Sequence, residues 1–187
     1  DDLSFRVPPG RVLGLLGRTG SGKTSITRLL LRLYDPEAGI VRAGGYDLRQ
    51  ARVADLRARI GMVTQDVQLF KATLRDNLAF FNPAISDEQI WGALEQLGLA
   101  EWVRDLPAGL DTVLEGGGRG QSAGEAQLLA FVRVLLRDPG LVILDEASSR
   151  LDLQTEARVE RAIDGLFADG SRTGIIIAHR LSTVLRA

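Results

Sequence analysis

The chain has 187 residues, 45% of them apolar and 25% charged, which is enough for one well-buried core and too short for two comfortable domains. A formal net charge of -1 supplies no basic field, so no nucleic-acid partner is expected. No apolar run approaches the roughly 18 residues of a membrane-spanning helix, the first residues lack the basic and apolar regions of a signal peptide, and the absence of cysteine excludes disulfides and thiolate metal sites.

In chain order, Val12 to Leu16 is a short apolar run ending at Gly17, which predicts a buried strand feeding a tight turn. From Gly22 the apolar positions Ile26, Leu29, Leu30 and Leu33 recur at helical spacing, and Asp35-Pro36-Glu37-Ala38-Gly39 is expected to end that helix. Ile40 to Ala43 before Gly44-Gly45 reads as a strand and turn, and Ile60 to Thr64 as a core strand stopping at Gln65. Leu74 to Phe80 and Ser86 to Leu97 read as helices, the second opened by a capping box of Ser86 and Gln89. Ser122 to Arg137 predicts a helix, Leu141 to Leu144 a fully apolar strand, Leu153 to Phe167 a helix, and Ile175 to Ile177 a last strand. Strands alternating with helices predict an α/β fold with a mainly parallel sheet flanked by helices. The strand-poor middle third predicts a helical subdomain at about 73–137, inserted into a core of about 1–72 and 138–187, all within a single domain.

Two segments carry the chemistry. Gly17-Arg18-Thr19-Gly20-Ser21-Gly22-Lys23-Thr24 matches G-x-x-x-x-G-K-[ST], and Ser25 follows it. Nucleotide phosphates need backbone N–H groups, a helix N-terminus and a mobile ammonium, and this pattern provides all three between a strand and a helix. Lys23 would reach the β and γ phosphates of ATP, and the Thr24 hydroxyl would bind Mg²⁺. Of the 23 basic residues only Lys23 and Lys71 are lysine, so a chain that uses arginine almost everywhere places lysine in this loop. Asp145 and Glu146 leave the C-terminal end of an apolar strand, where ligands bind in open α/β sheets. Asp145 suits a Mg²⁺ ligand and Glu146 a general base. Taken alone, Asp-Glu after a strand is more often only a solvated turn.

These motifs, in this order, resemble the nucleotide-binding domain of an ATP-binding cassette (ABC) transporter, most closely of the multidrug or lipid exporter type. Gln65 after its strand, Gln121-Ser122-Ala123-Gly124-Glu125-Ala126-Gln127 at the place of the family signature, Ser149-Arg150-Leu151-Asp152 as the D-loop and Ala178-His179-Arg180 as the switch histidine extend the match from about Phe5 to Leu185. The resemblance implies that Gln65 senses Mg²⁺ and the attacking water, that His179 contacts the γ phosphate, and that Ser122 and Gly124 bind the γ phosphate held by a second subunit. It implies a head-to-tail dimer of cassettes, homo- or heterodimeric, with ATP and Mg²⁺ as cofactors. The further partner it implies is an exporter's transmembrane domain, fused or separate, at the cytoplasmic face of the cell membrane. Gln65-Asp66-Val67-Gln68-Leu69-Phe70 and Thr73-Leu74-Arg75-Asp76-Asn77-Leu78 resemble exporter stretches that face the coupling helices.

Departures from the family pattern matter as much. The usual Leu-Ser-Gly-Gly-Gln is changed at Gln121, Ala123 and Glu125, and Glu125 brings a carboxylate toward the place where phosphate charge is stabilised, unless capping holds it back. The upstream aromatic that stacks on adenine has no counterpart, because Phe5 lies too close to the loop, and a domain trimmed at both ends is expected. Two other readings fit the motifs. A soluble ABC ATPase of repair, chromosome or translation type is disfavoured for the first two by the compact insert between Gln65 and Ser122. A regulatory cassette of a heterodimer with unequal sites is compatible with the altered signature.

Overall fold

The computed structural model describes residues 3–18, 20–64, 66–115, 122–145 and 153–178. Four strands, β1 (Val12–Leu16), β4 (Ile60–Val63), β5 (Leu141–Asp145) and β6 (Thr173–Ala178), form one sheet in the order β1-β6-β5-β4 with every pair parallel. β2 (Arg42–Ala43) and β3 (Tyr46–Asp47) make a small antiparallel ribbon. Parallel neighbours require crossover connections, and the helices that make them cover both sheet faces.

Alternation along the central strands decides which core each side chain joins. Val142, Leu144 and Ile176 face the larger core, whereas Ile143 and Ile175 point the other way, onto Leu48, Leu56 and Ile60. With both faces buried, β5 has no polar position until Asp145, which is why it reads as an uninterrupted apolar run.

The larger core is organised by α6 (Ala123–Arg137), which packs against β4, α3 (Leu74–Ala79), α4 (Asp87–Gln96) and α7 (Leu153–Phe167). Leu128, Leu129, Phe131 and Val132 are wholly buried with Leu74, Leu78, Ile90 and Leu94, and burial of each such side chain contributes about 1.5–3 kcal/mol. The capping box expected at the start of α4 forms. Ser86 Oγ accepts from Gln89 N at 3.2 Å while Ser86 N donates to Gln89 Oε1 at 2.9 Å.

Several element boundaries differ from the sequence reading. α1 (Lys23–Leu30) stops before Leu33, because Arg32 turns left-handed at φ 48° and Leu33 N donates back to Arg28 O at 2.9 Å, a Schellman-type ending. Leu33 is therefore 55% exposed, although its spacing continues the helical stripe. The strand expected at Ile40 to Ala43 shortens to Arg42–Ala43, the part that β3 pairs. Two short helices, α2 (Val53–Ala58) and α5 (Ala100–Arg104), were not expected, since six and five residues are too few to show a period. Among the described residues no strand lies between β4 and β5, and the region holds only an isolated bridge between Thr73 and Val113.

Candidate functional site

β1 delivers its loop at the C-terminal edge of the sheet. Gly17 lies so close to Ser21 that an added Cβ would sit 2.6 Å from Ser21 Oγ, and Ser21 N closes the turn on Arg18 O at 3.1 Å. Gly22 caps α1 at φ 93°, a left-handed conformation open to glycine at little cost. No side chain caps α1 and no acidic residue stands in its first turn, so its N–H groups and positive dipole end are left for an anion. Gly20, Ser21, Thr24 and Ser25 are exposed around that end.

Lys23 is the first residue of α1, and its ammonium is buried inside the loop. Nζ donates to Gly17 O at 2.6 Å, to Arg18 O at 3.1 Å and to Ser21 Oγ at 3.5 Å. The cation thus sits at the centre of the turn, held by neutral acceptors, and among the described residues no carboxylate pairs with it. Such an arrangement attracts a polyanion.

The strand order then fixes the rest of the edge. β6 lies between β1 and β5, and Asp145 is in register with Ile177 while Leu16 is in register with Ala178. Asp145, half-buried at the end of β5, is therefore two strand spacings from the phosphate loop, or about 10 Å. β4 ends at Val63 in register with Leu144, two residues before Gln65, and β6 ends one residue before His179. Thr19, Gln65, Glu146 and His179, together with Ser149-Arg150-Leu151-Asp152, lie outside the described residues.

The signature segment opens α6. Ser122 is its N-cap, with Oγ accepting from Glu125 N at 3.1 Å, and Ser122 N donates to Glu125 Oε2 at 2.7 Å. Gly124 is buried in the first turn. Glu125 is thus held in the capping box, but its charge stays on the dipole end where an incoming anion would compete with it. Ser122 Oγ accepts in this box and keeps its own proton to donate.

Sequence reasoning missed a second constellation beside this edge. Arg133, in α6, is buried with no carboxylate partner among the described residues. Its Nε donates to Asn77 O at 2.8 Å, its Nη1 to Gln68 O at 2.8 Å and its Nη2 to Asn77 Oδ1 at 3.1 Å. Burial pushes the guanidinium below its usual pKa range. The available signal was one arginine inside Leu128-Leu129-Ala130-Phe131-Val132-Arg133-Val134-Leu135, since a charge in an all-buried helical run requires dedicated acceptors. An open groove of about 270 Å³ runs past this arginine, walled by Thr64, Gln68, Phe70, Phe80 and Arg137.

The family described as ABC transporter matches residues 1–149. The uncharacterized ABC transporter ATP-binding protein YknV of Bacillus subtilis is 41% identical over 182 residues, covering 97% of this chain and 30% of that protein. The mitochondrial ATP-binding cassette sub-family B member 10 of Mus musculus is 42% identical over 189 residues, covering 100% of this chain and 26% of its own length. The ATP-dependent lipid A-core flippase of Burkholderia pseudomallei is 42% identical over 187 residues, again 100% of this chain and 31% of the relative. A solved bacterial Atm1-family ABC exporter with ATP bound superposes with a TM-score of 0.86 at 38% identity, over 97% of this chain and 32% of that one. The chain thus spans between about a quarter and a third of the length of these proteins.

Proposed function

The chain belongs to the ABC transporter family and is an ATPase domain of it, and from this premise we propose that it powers an exporter by binding and hydrolysing ATP between two such domains. The observation that carries the reading is the C-terminal sheet edge, where the strand that feeds the loop of Lys23 and the uncapped α1 N-terminus lies two strand spacings from the strand that ends in Asp145. That distance suits a triphosphate with its counter-ion.

In this reading Gly17, Thr19, Gly20, Ser21, Gly22 and Ser25 line the phosphates, and Lys23 leaves the loop carbonyls to neutralise the β and γ oxygens. Thr24, Asp145 and Gln65 would hold Mg²⁺, a fit to its chemistry because that ion takes one or two carboxylate or hydroxyl oxygens and completes its shell with phosphate and water. When bound, Mg²⁺ supplies charge neutralisation on the transferred phosphoryl group. Glu146 orients and deprotonates the attacking water, and His179 donates toward the γ phosphate. Ser122 and Gly124 act in trans on the nucleotide of the second domain, so a head-to-tail pair completes two sites.

The division into a core of about 1–72 and 138–187 and a helical part of about 73–137 gives the motion its moving bodies. The groove past Arg133 is the docking face for a transmembrane domain, with the cassettes at the cytoplasmic face of the membrane; the relatives' names, flippase and exporter, support a membrane partner. A variant of this reading compatible with the Ser122–Glu125 box is a heterodimer whose two sites turn over unequally. The test is ATP hydrolysis by the assembled transporter. Glu146→Gln should abolish turnover at the site of this chain's own phosphate loop, and Ser122→Arg should affect the opposite site. Equal and complete loss from both would sink the unequal-site variant, and a Glu146→Gln protein as active as the wild type would sink the catalytic assignment.

A further inference from the structure

Three polar side chains are buried in and around α6, and two of them are fully partnered. Asn77 Oδ1 accepts from Phe70 N at 2.8 Å and its Nδ2 donates to Phe70 O and Thr73 O at 3.0 Å each, while every guanidinium nitrogen of Arg133 donates to an oxygen. Gln127 is the exception. It is 2% exposed, and among the described residues no donor reaches its Oε1. A buried amide oxygen of this kind has given up water without gaining a bond, which costs stability. Methionine or leucine would fill the same space with no polar atom to satisfy.

The position of Gln127 follows from the path of α6. Only Asp138, Pro139 and Gly140 separate this helix from β5, so α6 runs antiparallel to β4 and β5 and turns its first residues toward the C-terminal sheet edge. Val134 marks the face that meets the sheet, since a Cβ added to Gly61 of β4 would stand 2.8 Å from Val134 Cγ1. Gly61 is in register with Val142 of β5. Gln127 precedes Val134 by two helical turns, within roughly 20° of the same stripe and about 10 Å nearer that edge. At about 3.3 Å per strand residue this is the level at which β5 ends in Asp145. Toward the helix start, Ser122 stands exposed at the N-cap. The unmet amide therefore lies in the core between the turn assigned above to the nucleotide of a second domain and the strand end assigned to the nucleotide of this chain.

Apolar packing is non-directional, so it leaves the first turn of α6 and the end of β5 free to settle independently on their ligands. A hydrogen bond holds only within a narrow distance and angle, and would tie the two together. We propose that Gln127 is a positioning residue that links the two half-sites, its amide oxygen accepting a hydrogen bond at the end of β5 once the two nucleotides draw α6 and β5 into line. The inference rests on the catalytic reading above and names a residue that keeps its two halves in step.

The experiment compares Gln127→Met with the wild type in the assembled transporter, by thermal unfolding with and without ATP and Mg²⁺ and by steady-state ATP hydrolysis. Methionine has nearly the volume of glutamine and leaves no strong acceptor unmet. Without nucleotide its melting midpoint should rise by ~2–4 °C, and the further rise on adding ATP should be smaller than in the wild type. kcat should fall ~10-fold with KM for ATP within ~2-fold. A merely structural glutamine would lose stability and activity together. Gln127→Leu repeats the comparison should Gln127→Met fold poorly, and must show the same gain in midpoint beside the same loss of turnover. A lower midpoint without nucleotide, an unchanged kcat, or failure of both variants to fold overturns the proposal. If Glu146→Gln were as active as the wild type, the catalytic reading would fall and this inference with it; an inactive Glu146→Gln beside a Gln127→Met of normal turnover would remove this inference alone.

Discussion

Replacing Glu125 by glutamine removes one charge from the α6 N-terminus while leaving its hydrogen bonds available. The protein contains its own control, since the Ser86–Gln89 box shows a glutamine Oε1 accepting from the N-cap N–H at 2.9 Å, close to the 2.7 Å that Glu125 makes to Ser122. The helix should lose only the charge–dipole part, about 0.3–1 kcal/mol. An anion accepted at the Ser122 hydroxyl would stand ~5 Å from the carboxylate, where like unit charges repel by about 0.8 kcal/mol in bulk water and about 3 kcal/mol at an effective dielectric constant near 20. Glu125 is half-buried, so the screened end of that range applies, and relief of ~1 kcal/mol corresponds to roughly fivefold in kcat/KM. The assay is steady-state ATP hydrolysis by the reconstituted transporter at low and high salt. The gain should shrink as salt rises, and an unchanged or lower rate in Glu125→Gln at low salt would refute the idea that this carboxylate weakens the signature.

Two further outcomes concern the scaffold. Phe131→Ala empties a fully buried position at the centre of the larger core and should cost about 3–5 kcal/mol, seen as a lower denaturation midpoint at unchanged slope; a loss below ~1 kcal/mol would mean that the core collapses to refill the space. The hydrogen bonds from Arg75 hold Asp87 below the ordinary carboxylate pKa. A carboxylate so depressed stabilises the fold above its unfolded pKa, near 3.9, and loses that contribution as pH falls through the lower folded value. Asp87→Asn should therefore melt at a lower temperature than the wild type at pH 7 and match it well below pH 3.9, and a gap that persisted in strong acid would show that the salt bridge was not the cause.

The features legible in the chain are those that short-range chemistry decides. The turn at Gly17 to Lys23 follows from glycines tolerating close approach and positive φ, the two capping boxes from Ser-x-x-Gln and Ser-x-x-Glu spacing, and the apolar β5 from burial on both faces. Each involves partners within a few residues, so local composition is sufficient. The order β1-β6-β5-β4 emerges only on folding, because it pairs Val12 with Gly174, 162 residues on, and Ile60 with Leu141, 81 residues on, and no local pattern names a partner. The early end of α1 depended on a left-handed Arg32 that the periodicity through Leu33 conceals. Likewise Arg133 could be recognised as a buried charge, but its acceptors at Gln68 and Asn77 lie 65 and 56 residues away and are brought to it by packing of α6 against α3 and β4. Local hydrogen bonds and periodicity thus wrote the phosphate loop and the signature cap into the chain, whereas the distance from loop to Asp145 and the network around Arg133 exist only once the sheet and α6 have assembled.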